Sequence, residues 1–598
     1  MFDRDRTSTF HIMAYRDWHK HHEVKDNAGN PAKPPSTFHA CMIVAACSLS
    51  NLVNTLNMTG PSISLPAVQR EFQSNQSDLG WVVSAYPLSS GCLLLLVGRL
   101  ADLYGRKRLF ELGLLWLFGF TLACGFVNDP ITLSVLRGLQ GCGAAATIPA
   151  ALGIMANVFP PSKARSLAFA VFAGASPIGG CFGMALGGVM TQLTSVTWRS
   201  IYYFSAAITA VSFLIGYLCI DPDQPSEEED QRVDWIGGIL SISGLVLIVF
   251  VLGQGESAPG TWANPYIDTL LILGVLLTVL YVFWQRFLER VHDGKAVSPF
   301  SWLPTPQPLM RVSLWTRSHG QVGITFVIAF LDYACFMGWS LWVLLYYQNY
   351  SGLSPILTMV RLIPMFIVGF AGNLLIAGIV GRLSLVTLMA LGGVVTAGAP
   401  LLFALIVPST TYWAFGFPAT LLAVLGSDFV FPTGTIFVAK VALPSEQSVA
   451  GAVFQGMTQL GTALGVSIST IAYNRDLLKQ ATELGVSPND IPQNQRLDAH
   501  HAAMWVNFGF GIGAAILALI FLRGVGPVGA KPCNNHHRHH YHIPGWHLPH
   551  FKHHNRSAST IVGEEEQPKE VSEKQVDNQK ENKGDSQSTS VEVRNVSE

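Results

Sequence analysis

Residues 98–108 read Gly-Arg-Leu-Ala-Asp-Leu-Tyr-Gly-Arg-Lys-Arg, with two glycines, one aspartate and four basic residues set between two long apolar runs. A water-soluble core has little use for such a cluster. A short turn between two membrane helices does. Small residues let the helix ends approach, and the cations hold the turn on the cytoplasmic side. Asp102 can face the positive N-terminus of a neighbouring helix. The candidate conformational-gate residues are therefore Gly98, Asp102, Gly105, Arg106 and Lys107.

The composition agrees with a membrane setting. Of 598 residues, 49% are hydrophobic and 13% charged, where a soluble protein carries about 25% charged. Mean hydropathy is +0.36. A net charge of −1 leaves no basic footprint for nucleic acid. Nine cysteines are scattered, most of them in apolar runs, with no metal spacing and no disulfide framework. No GxxxxGK followed by Ser or Thr occurs, and no nucleophile–base set. Neither an ATP-driven pump nor an enzyme is expected, and no cofactor or metal. The first 37 residues are polar and histidine-dotted, so no cleavable signal peptide is expected.

A spanning helix needs about 20 mainly apolar residues. Fourteen stretches meet that rule, near 40–60, 80–99, 109–127, 131–157, 167–192, 201–220, 236–253, 268–287, 319–347, 355–380, 386–407, 411–440, 447–473 and 503–523. An even number puts both termini on one side. If that side is the cytoplasm, its loops hold fourteen Lys and Arg, from Arg99 to Lys440. The opposite loops hold five: Arg70, Arg199, Arg475, Lys479 and Arg496. Positive residues favour the cytoplasm, so both termini are expected there. Asn75 (Asn-Gln-Ser) and Asn349 (Asn-Tyr-Ser) then fit glycosylation sequons on outside loops.

The chain repeats itself. Residues 170–183, AVFAGASPIGGCFG, and 452–465, AVFQGMTQLGTALG, share Ala, Val, Phe and three glycines at an offset of 282. Gly98-Arg99-Leu100 recurs as Gly381-Arg382-Leu383 at an offset of 283. Two matches at nearly one offset imply two parallel six-helix halves with a substrate path between them. The expected organisation is an N-terminal tail (1–37), a first half (38–220), a linker with two extra helices (221–318), a second half (319–523) and a C-terminal tail (524–598). The linker opens on the acidic run DPDQPSEEEDQRVDW at 221–235. Residues 533–554 hold nine histidines, which would bind Zn²⁺ or Ni²⁺ weakly at most. Residues 560–598 have a disordered composition.

Several of these stretches resemble signatures of the major facilitator superfamily. The 98–108 turn resembles its signature loop through Gly98, Leu100, Ala101, Asp102, Gly105, Arg106 and Lys107. Arg137, in Leu136-Arg137-Gly138-Leu139-Gln140-Gly141-Cys142-Gly143, resembles the second signature, which the resemblance ties to proton transfer. A guanidinium does not release a proton near neutral pH, so its role would be to hold a carboxylate or anion. The alternative is an arginine that snorkels to the outer headgroups. Gly174, Ala175, Ser176, Pro177, Ile178, Gly179 and Gly180 resemble the antiporter signature, with Ser176 where glycine is usual. Small residues let helices pack closely and the proline kinks the helix. Gln459 stands in the proline's place in the second half.

The resemblance extends over about 38–523 and is closest to the fungal fourteen-helix drug:proton antiporters of the aminotriazole-resistance-like group. It rests on Trp198 to Phe204 (WRSIYYF), on DWIGG at 234–238 and on 427–465. It implies an all-α polytopic membrane protein of the major facilitator fold, with two parallel six-helix halves, an inserted helix pair and fourteen transmembrane helices in all. One departure bears on mechanism. The run from Leu56 to Pro66 resembles the pattern that ends the first helix of these antiporters, but Asn57 replaces an aspartate. Asparagine cannot carry a proton.

A charge in the bilayer costs at least about 2.5–3.5 kcal/mol, so an ionisable residue there is a functional candidate. Asp332 and Asp428 each lie deep in an apolar run beside aromatic residues. A carboxyl group taken out of water can take up and release a proton near neutral pH, which makes them the proton-coupling candidates together with Arg137. The alternative is a structural aspartate hydrogen-bonded between helices. Arg361 is a possible charge partner for either. Substrate-cavity candidates are Asn57, Trp81, Tyr86, Gln140, Tyr333, Phe336, Trp339, Trp342 and Gln459.

The expected activity is proton-coupled efflux of a small organic compound by a monomer in the plasma membrane, or else the vacuolar membrane. Its partners would be a small-molecule substrate, protons and the lipid bilayer. Two alternatives stand beside it. One is a facilitator for a small polar solute such as ammonium or borate, which Asn57 favours. The other is a transporter-like sensor that signals through 524–598.

Overall fold

The computed structural model describes residues 36–526 apart from 75, 160–162, 224–229, 256–263, 295–304, 381, 444–445 and 488–490. Asn75, Gly381, the first tail as far as residue 35 and the tail from 527 onward, with its histidines, lie outside the described residues. Among the described residues, fourteen helices of nineteen residues or more follow one another. They are α1 Thr37–Phe72, α2 Gln76–Tyr104, α3 Arg106–Cys124, α4 Pro130–Val158, α5 Lys163–Leu193, α6 Arg199–Cys219, α7 Trp235–Gln254 and α8 Pro265–His292. After a single turn at Ser313–Thr316 come α9 Gln321–Leu345, α10 Pro355–Ile379, α11 Leu385–Ala404, α12 Gly416–Val441, α13 Gln447–Leu484 and α14 Gln493–Phe521. Each falls on one of the fourteen apolar stretches, in order. Twelve are long and apolar enough to cross a membrane by length and composition. The other two are α3, which begins Arg-Lys-Arg and carries Glu111, and α13, which is interrupted by Gln, Ser and Thr.

Local chemistry sets the helix starts. Asp129 accepts from the Thr132 N–H at 2.8 Å, and Pro130 opens α4. That hydrogen bond holds the Asp129 carboxyl below the usual carboxylate range. Ser354 and Ser384 cap α10 and α11 in the same way, accepting from Leu357 and Thr387.

The helices pack as two similar sets. In the first, α1 lies on α5 and α6, α2 on α4, and α3 on α4 and α6. In the second, α9 lies on α13 and α14, α10 on α12, and α11 on α12 and α14. Glycines make the tightest contacts in both. A Cβ on Gly179 would run into the Leu52 carbonyl of α1, and one on Gly183 would sit 2.9 Å from the Leu56 carbonyl oxygen. Gly461 and Gly465, the same positions plus 282, face the Phe330 and Ala334 carbonyls of α9. With little hydrophobic drive between helices inside lipid, such backbone-to-backbone approach is what holds them.

The inserted helices α7 and α8 pack on each other, and α7 also lies on α2 and α13. A Cβ on Gly238 would meet Leu96 at 3.1 Å, and one on Gly253 would meet the Trp81 ring at 2.6 Å. Val249 joins a buried cluster with Leu88 and Cys92 of α2 and Leu460 and Ala463 of α13. A polar latch then ties the insert to the second half. Asp234 of the DWIGG run caps α7 at Gly237 (2.8 Å) and accepts from Trp284 of α8 (2.8 Å) and Gln285. Gln285 and Glu289 accept from the Met310 and Ser313 backbone ahead of α9. Arg311 reaches Asp293 at 3.6 Å and Glu446 at 3.3 Å, and Arg317 reaches Glu446 at 2.5 Å.

The two ends of the bundle differ. At the end that carries Phe72 and Tyr350, one apolar cluster runs through both halves, from Leu56, Ile63 and Tyr202 to Trp342, Met359 and Tyr473. At the opposite end, where Thr37 lies, two clusters stand in place of one, and Leu95 of α2 packs against the second. One is built on Ile43, Phe110 and Phe172, the other on Phe326, Leu385 and Phe454.

Candidate functional site

In the first half the centre is a buried cation. Arg137 projects from α4 and is wholly enclosed, so it does not snorkel to a surface. Its Nε donates to the Val82 carbonyl at 3.0 Å and its Nη1 to Gln140 Oε1 at 2.6 Å. The guanidinium lies 4.8 Å over the Tyr86 ring. Gln140 passes the contact on to Thr121 of α3 at 2.6 Å. The Tyr86 hydroxyl donates to Asn54 at 2.9 Å, and Asn54 to Thr147 at 3.1 Å. Nη2 of Arg137 is buried without a partner. No carboxylate pairs with it among the described residues. Asn57, one turn from Asn54, accepts from Ser205 at 2.6 Å and leaves its own Nδ2 unpartnered.

In the second half the buried charges are negative. Asp332 of α9 is fully enclosed and accepts from Thr396 of α11 at 2.8 Å. Asp428 of α12 is half-buried and accepts from Asn373 of α10 at 3.0 Å. Its Oδ2 lies where a Cβ on Gly372 would be, 2.6 Å away. Each carboxylate keeps one oxygen, Oδ2, with no hydrogen-bond partner. Among the described residues no cation pairs with either. Arg361 sits elsewhere, 5.1 Å over Tyr347 and 5.4 Å over Tyr412. Tyr333 stands between the Phe336 and Phe431 rings, at 6.4 and 5.8 Å.

The remaining candidates spread more widely. Trp339 and Trp342 are fully enclosed in the shared cluster at the Phe72 end. Trp339 lies edge-on to Phe403, and Trp342 donates to Ser469 at 2.9 Å. Trp81 faces α7, 5.9 Å from the Phe250 ring. Gln459 is buried between the halves, its Cβ 2.9 Å from where a Cβ on Gly91 would stand. On α5, Gly179 and Gly180 are packed, Pro177 lies inside a continuous helix, and a Cβ on Gly174 would meet nothing within 4 Å. Asn349 is exposed but its amide donates to Gln69 at 3.0 Å. It lines a cleft of about 1250 Å³ at the Phe72 end with Arg70, Gln192, Gln348, Arg496 and His500.

The 98–108 turn is built differently from its sequence reading. Asp102 pairs with Arg106 at 3.0 Å, and Arg106 donates onward to the Gly153 carbonyl (3.1 Å) and Asn157 (2.7 Å) of α4. The carboxylate at the positive start of α3 is Asp223, which accepts from the Lys107 and Arg108 N–H groups at 2.8 and 3.0 Å. Gly105 adopts φ +108, and a Cβ there would run into Asp223. The residues that sequence reasoning missed are Asp223, Thr396 and Asn373. Thr396 and Asn373 carry a readable signal, a lone polar side chain in an apolar run. Asp223 is more than one hundred residues from the turn it closes.

A family model described as the Major Facilitator Superfamily matches residues 47–466. The chain is 31% identical to the puromycin resistance protein pur8 of Streptomyces alboniger, over 79% of this chain and 88% of that protein. It is 26% identical to the efflux pump terG of Aspergillus terreus, over 80% of this chain and 86% of that one. Among solved structures, a bacterial homologue of the human lysosomal transporter Spinster in its inward-facing, unoccupied conformation matches with a TM-score of 0.56 at 15% identity. That match covers 81% of this chain and 97% of the other and speaks to the fold alone.

Proposed function

The chain belongs to the Major Facilitator Superfamily, and on that premise we propose that it exports small organic compounds in exchange for protons by rocking its two halves against each other. One observation carries the coupling: the enclosed cation Arg137 lies in the first half and the carboxylates Asp332 and Asp428 in the second, and no ion pair neutralises any of the three among the described residues. An ionised carboxylate in an apolar interior is costly. A bound proton removes that cost, and so does a cationic or hydrogen-bond-donating substrate. Proton and substrate therefore compete for one group, and competition is what makes two fluxes run in opposite directions. Asp428 is the more accessible of the two, because Asn373 beside it is exposed. Asn57 leaves the first half without a carboxylate of its own at that position.

The bias of Lys and Arg towards the Thr37 end supports a cytoplasmic setting for that end and for both termini. The joined Phe72 end then faces outward. The relatives named as a resistance protein and an efflux pump support export, and export from a cell places the chain in the plasma membrane.

The test uses the purified chain in liposomes with an internal pH dye and an imposed pH gradient. Toxic organic compounds, borate and ammonium are added in turn. Proton movement that depends on an organic compound and disappears in Asp428→Asn and Asp332→Asn is the expected result. Flux of ammonium or borate without proton movement would replace export with facilitation and make Asn57 the informative residue.

A further inference from the structure

The cleft of about 1250 Å³ at the Phe72 end takes its walls from both halves. Five amide side chains line it, and four of them spend one end on holding the molecule together. Gln348 donates to the Ile63 carbonyl of α1 at 2.8 Å, and Asn349 donates to Gln69 of α1 at 3.0 Å. Gln192 of α5 accepts from the Ile356 N–H of α10 at 3.3 Å. Gln493 of α14 donates to the Tyr350 carbonyl. The other ends, Gln192 Nε2 and the side-chain oxygens of Gln348, Asn349 and Gln493, have no protein partner among the described residues.

The charges on the walls favour neither an anion nor a cation. Arg70 donates from Nε to the Pro66 carbonyl at 3.1 Å, and no carboxylate pairs with it among the described residues. Arg496 is a second guanidinium on the wall. Glu71, also on the wall, is committed to Trp198 and Arg199, at 2.6 Å each. A cation is repelled by the two guanidinium groups. An anion gains them but meets three unspent amide oxygens that only accept. An apolar compound would strip water from all these groups with no bond in return. A hydroxyl donates and accepts at once, so a row of hydroxyls matches a wall of mixed amide donors and acceptors. The rings of Tyr473 and His500, both buried, lie 5.1 Å apart along the same cleft. They offer apolar surface to the C–H face of a sugar ring.

We propose that this cleft is a binding site for neutral polyhydroxylated compounds, of the chemical class of sugars, and that its occupant fastens the Phe72 end shut. Arg70 and Gln192 belong to the first half, and Gln348, Asn349 and Gln493 to the second. A ligand bonded to both sets binds most tightly when they are close, so it favours the joined state. Separating the Phe72 end would break its contacts together with the bonds from Gln348 to Ile63 and from Asn349 to Gln69. The occupant therefore opposes every cycle from the side by which exported compounds leave. That consequence rests on the export reading; the site itself does not.

The test uses the full chain in phosphatidylcholine nanodiscs prepared with cholate, because maltoside and glucoside detergents would fill the site. Saturation-transfer NMR reads the binding of maltose, gluconate and choline. Signal from maltose alone is the expected result. No transfer to maltose, or transfer to gluconate or choline at least as strong, overturns the proposal. Gln493→Trp, at an exposed position and checked by size exclusion, should block the cleft and lose the signal; a retained signal overturns the site. If that variant does not fold, Gln192→Leu, also exposed, should weaken the signal severalfold, and an unchanged signal overturns the site equally. Nanodiscs containing a monoglucosyl lipid separate two sources of the same chemistry. Maltose signal lost there assigns the cleft to a lipid headgroup, and signal kept assigns it to free sugars. In the liposome assay, maltose on the Phe72 side should slow substrate-driven proton movement severalfold, and an unchanged rate overturns the fastening. If no compound moves protons, the export reading fails, and the maltose signal still decides the site.

Discussion

The α1–α6 half and the α9–α14 half share a packing plan and differ in their buried chemistry. Gly179 and Gly183 seat α5 on α1 as Gly461 and Gly465 seat α13 on α9. Nothing comparable is shared among the charges. The first half encloses a guanidinium among amides, a phenol and a threonine. The second encloses two carboxylates held by one hydrogen bond each. Packing constrains shape, and shape survives duplication as long as the glycines stay. Buried charge constrains only its own pocket, so each half is free to hold a different one.

The sharpest way to break this comparison is to remove the negative side. Asp428→Asn keeps an acceptor for Asn373 and should abolish substrate-driven proton movement in liposomes. Asp332→Asn should do the same. If it leaves coupling intact, Asp332 serves only as the acceptor for Thr396, and the comparison reduces to one carboxylate. On the positive side, Arg137→Lys loses the planar fork that joins Val82 and Gln140 and the stacking on Tyr86. Turnover should fall roughly tenfold, about 1.4 kcal/mol of barrier, with proton stoichiometry unchanged.

The shared plan can be tested by stability. Gly179→Ala and Gly461→Ala should each cost about 1–3 kcal/mol through overpacking, read as earlier melting in detergent. Gly174→Ala should melt like the unsubstituted chain, since open space surrounds it. Unequal losses at Gly179 and Gly461 would mean that the halves do not pack alike. The smallest loss expected is that of Asp223→Ala, which uncaps α3 at a cost of about 1 kcal/mol. A chain that melts unchanged would remove Asp223 from the turn's support.

Much of this arrangement is legible from sequence because lipid imposes a simple rule. Every backbone polar group must be satisfied within a helix, so long apolar runs announce themselves. The fourteen stretches fall in register with the fourteen helices, although α1 runs to Phe72 and α13 to Leu484, beyond the apolar stretches that mark them. Polar residues carry those helices further than the apolar rule can follow. Arg137, Asp332 and Asp428 were legible for the same reason, as charges in runs that exclude charge. Their surroundings were not. Which helix faces Asp332 depends on tertiary contact, and Thr396 lies 64 residues away. Trp81, Trp339 and Trp342 look alike in sequence to a tryptophan that lines a cavity. Whether an aromatic ring meets substrate, an inserted helix or a core is decided by packing that hydropathy does not encode. Asp223 took the role expected of Asp102 because a chain reversal placed it at the start of α3.

The attachments of the inserted pair are unequal. Its tie towards the second half is a set of directional bonds through Gln285, Glu289, Arg311 and Glu446. Its tie to α2 includes small residues against smooth apolar ones, Gly238 on Leu96 and Gly253 on Trp81, and Arg99 donates to the Asp230 carbonyl. Directional bonds resist shear, whereas a face without interlocking side chains yields to it. The insert should therefore ride as a passenger on the second half, with α2 as its bearing surface. Friction on that bearing, set by two glycines, would then limit how fast the machine can cycle.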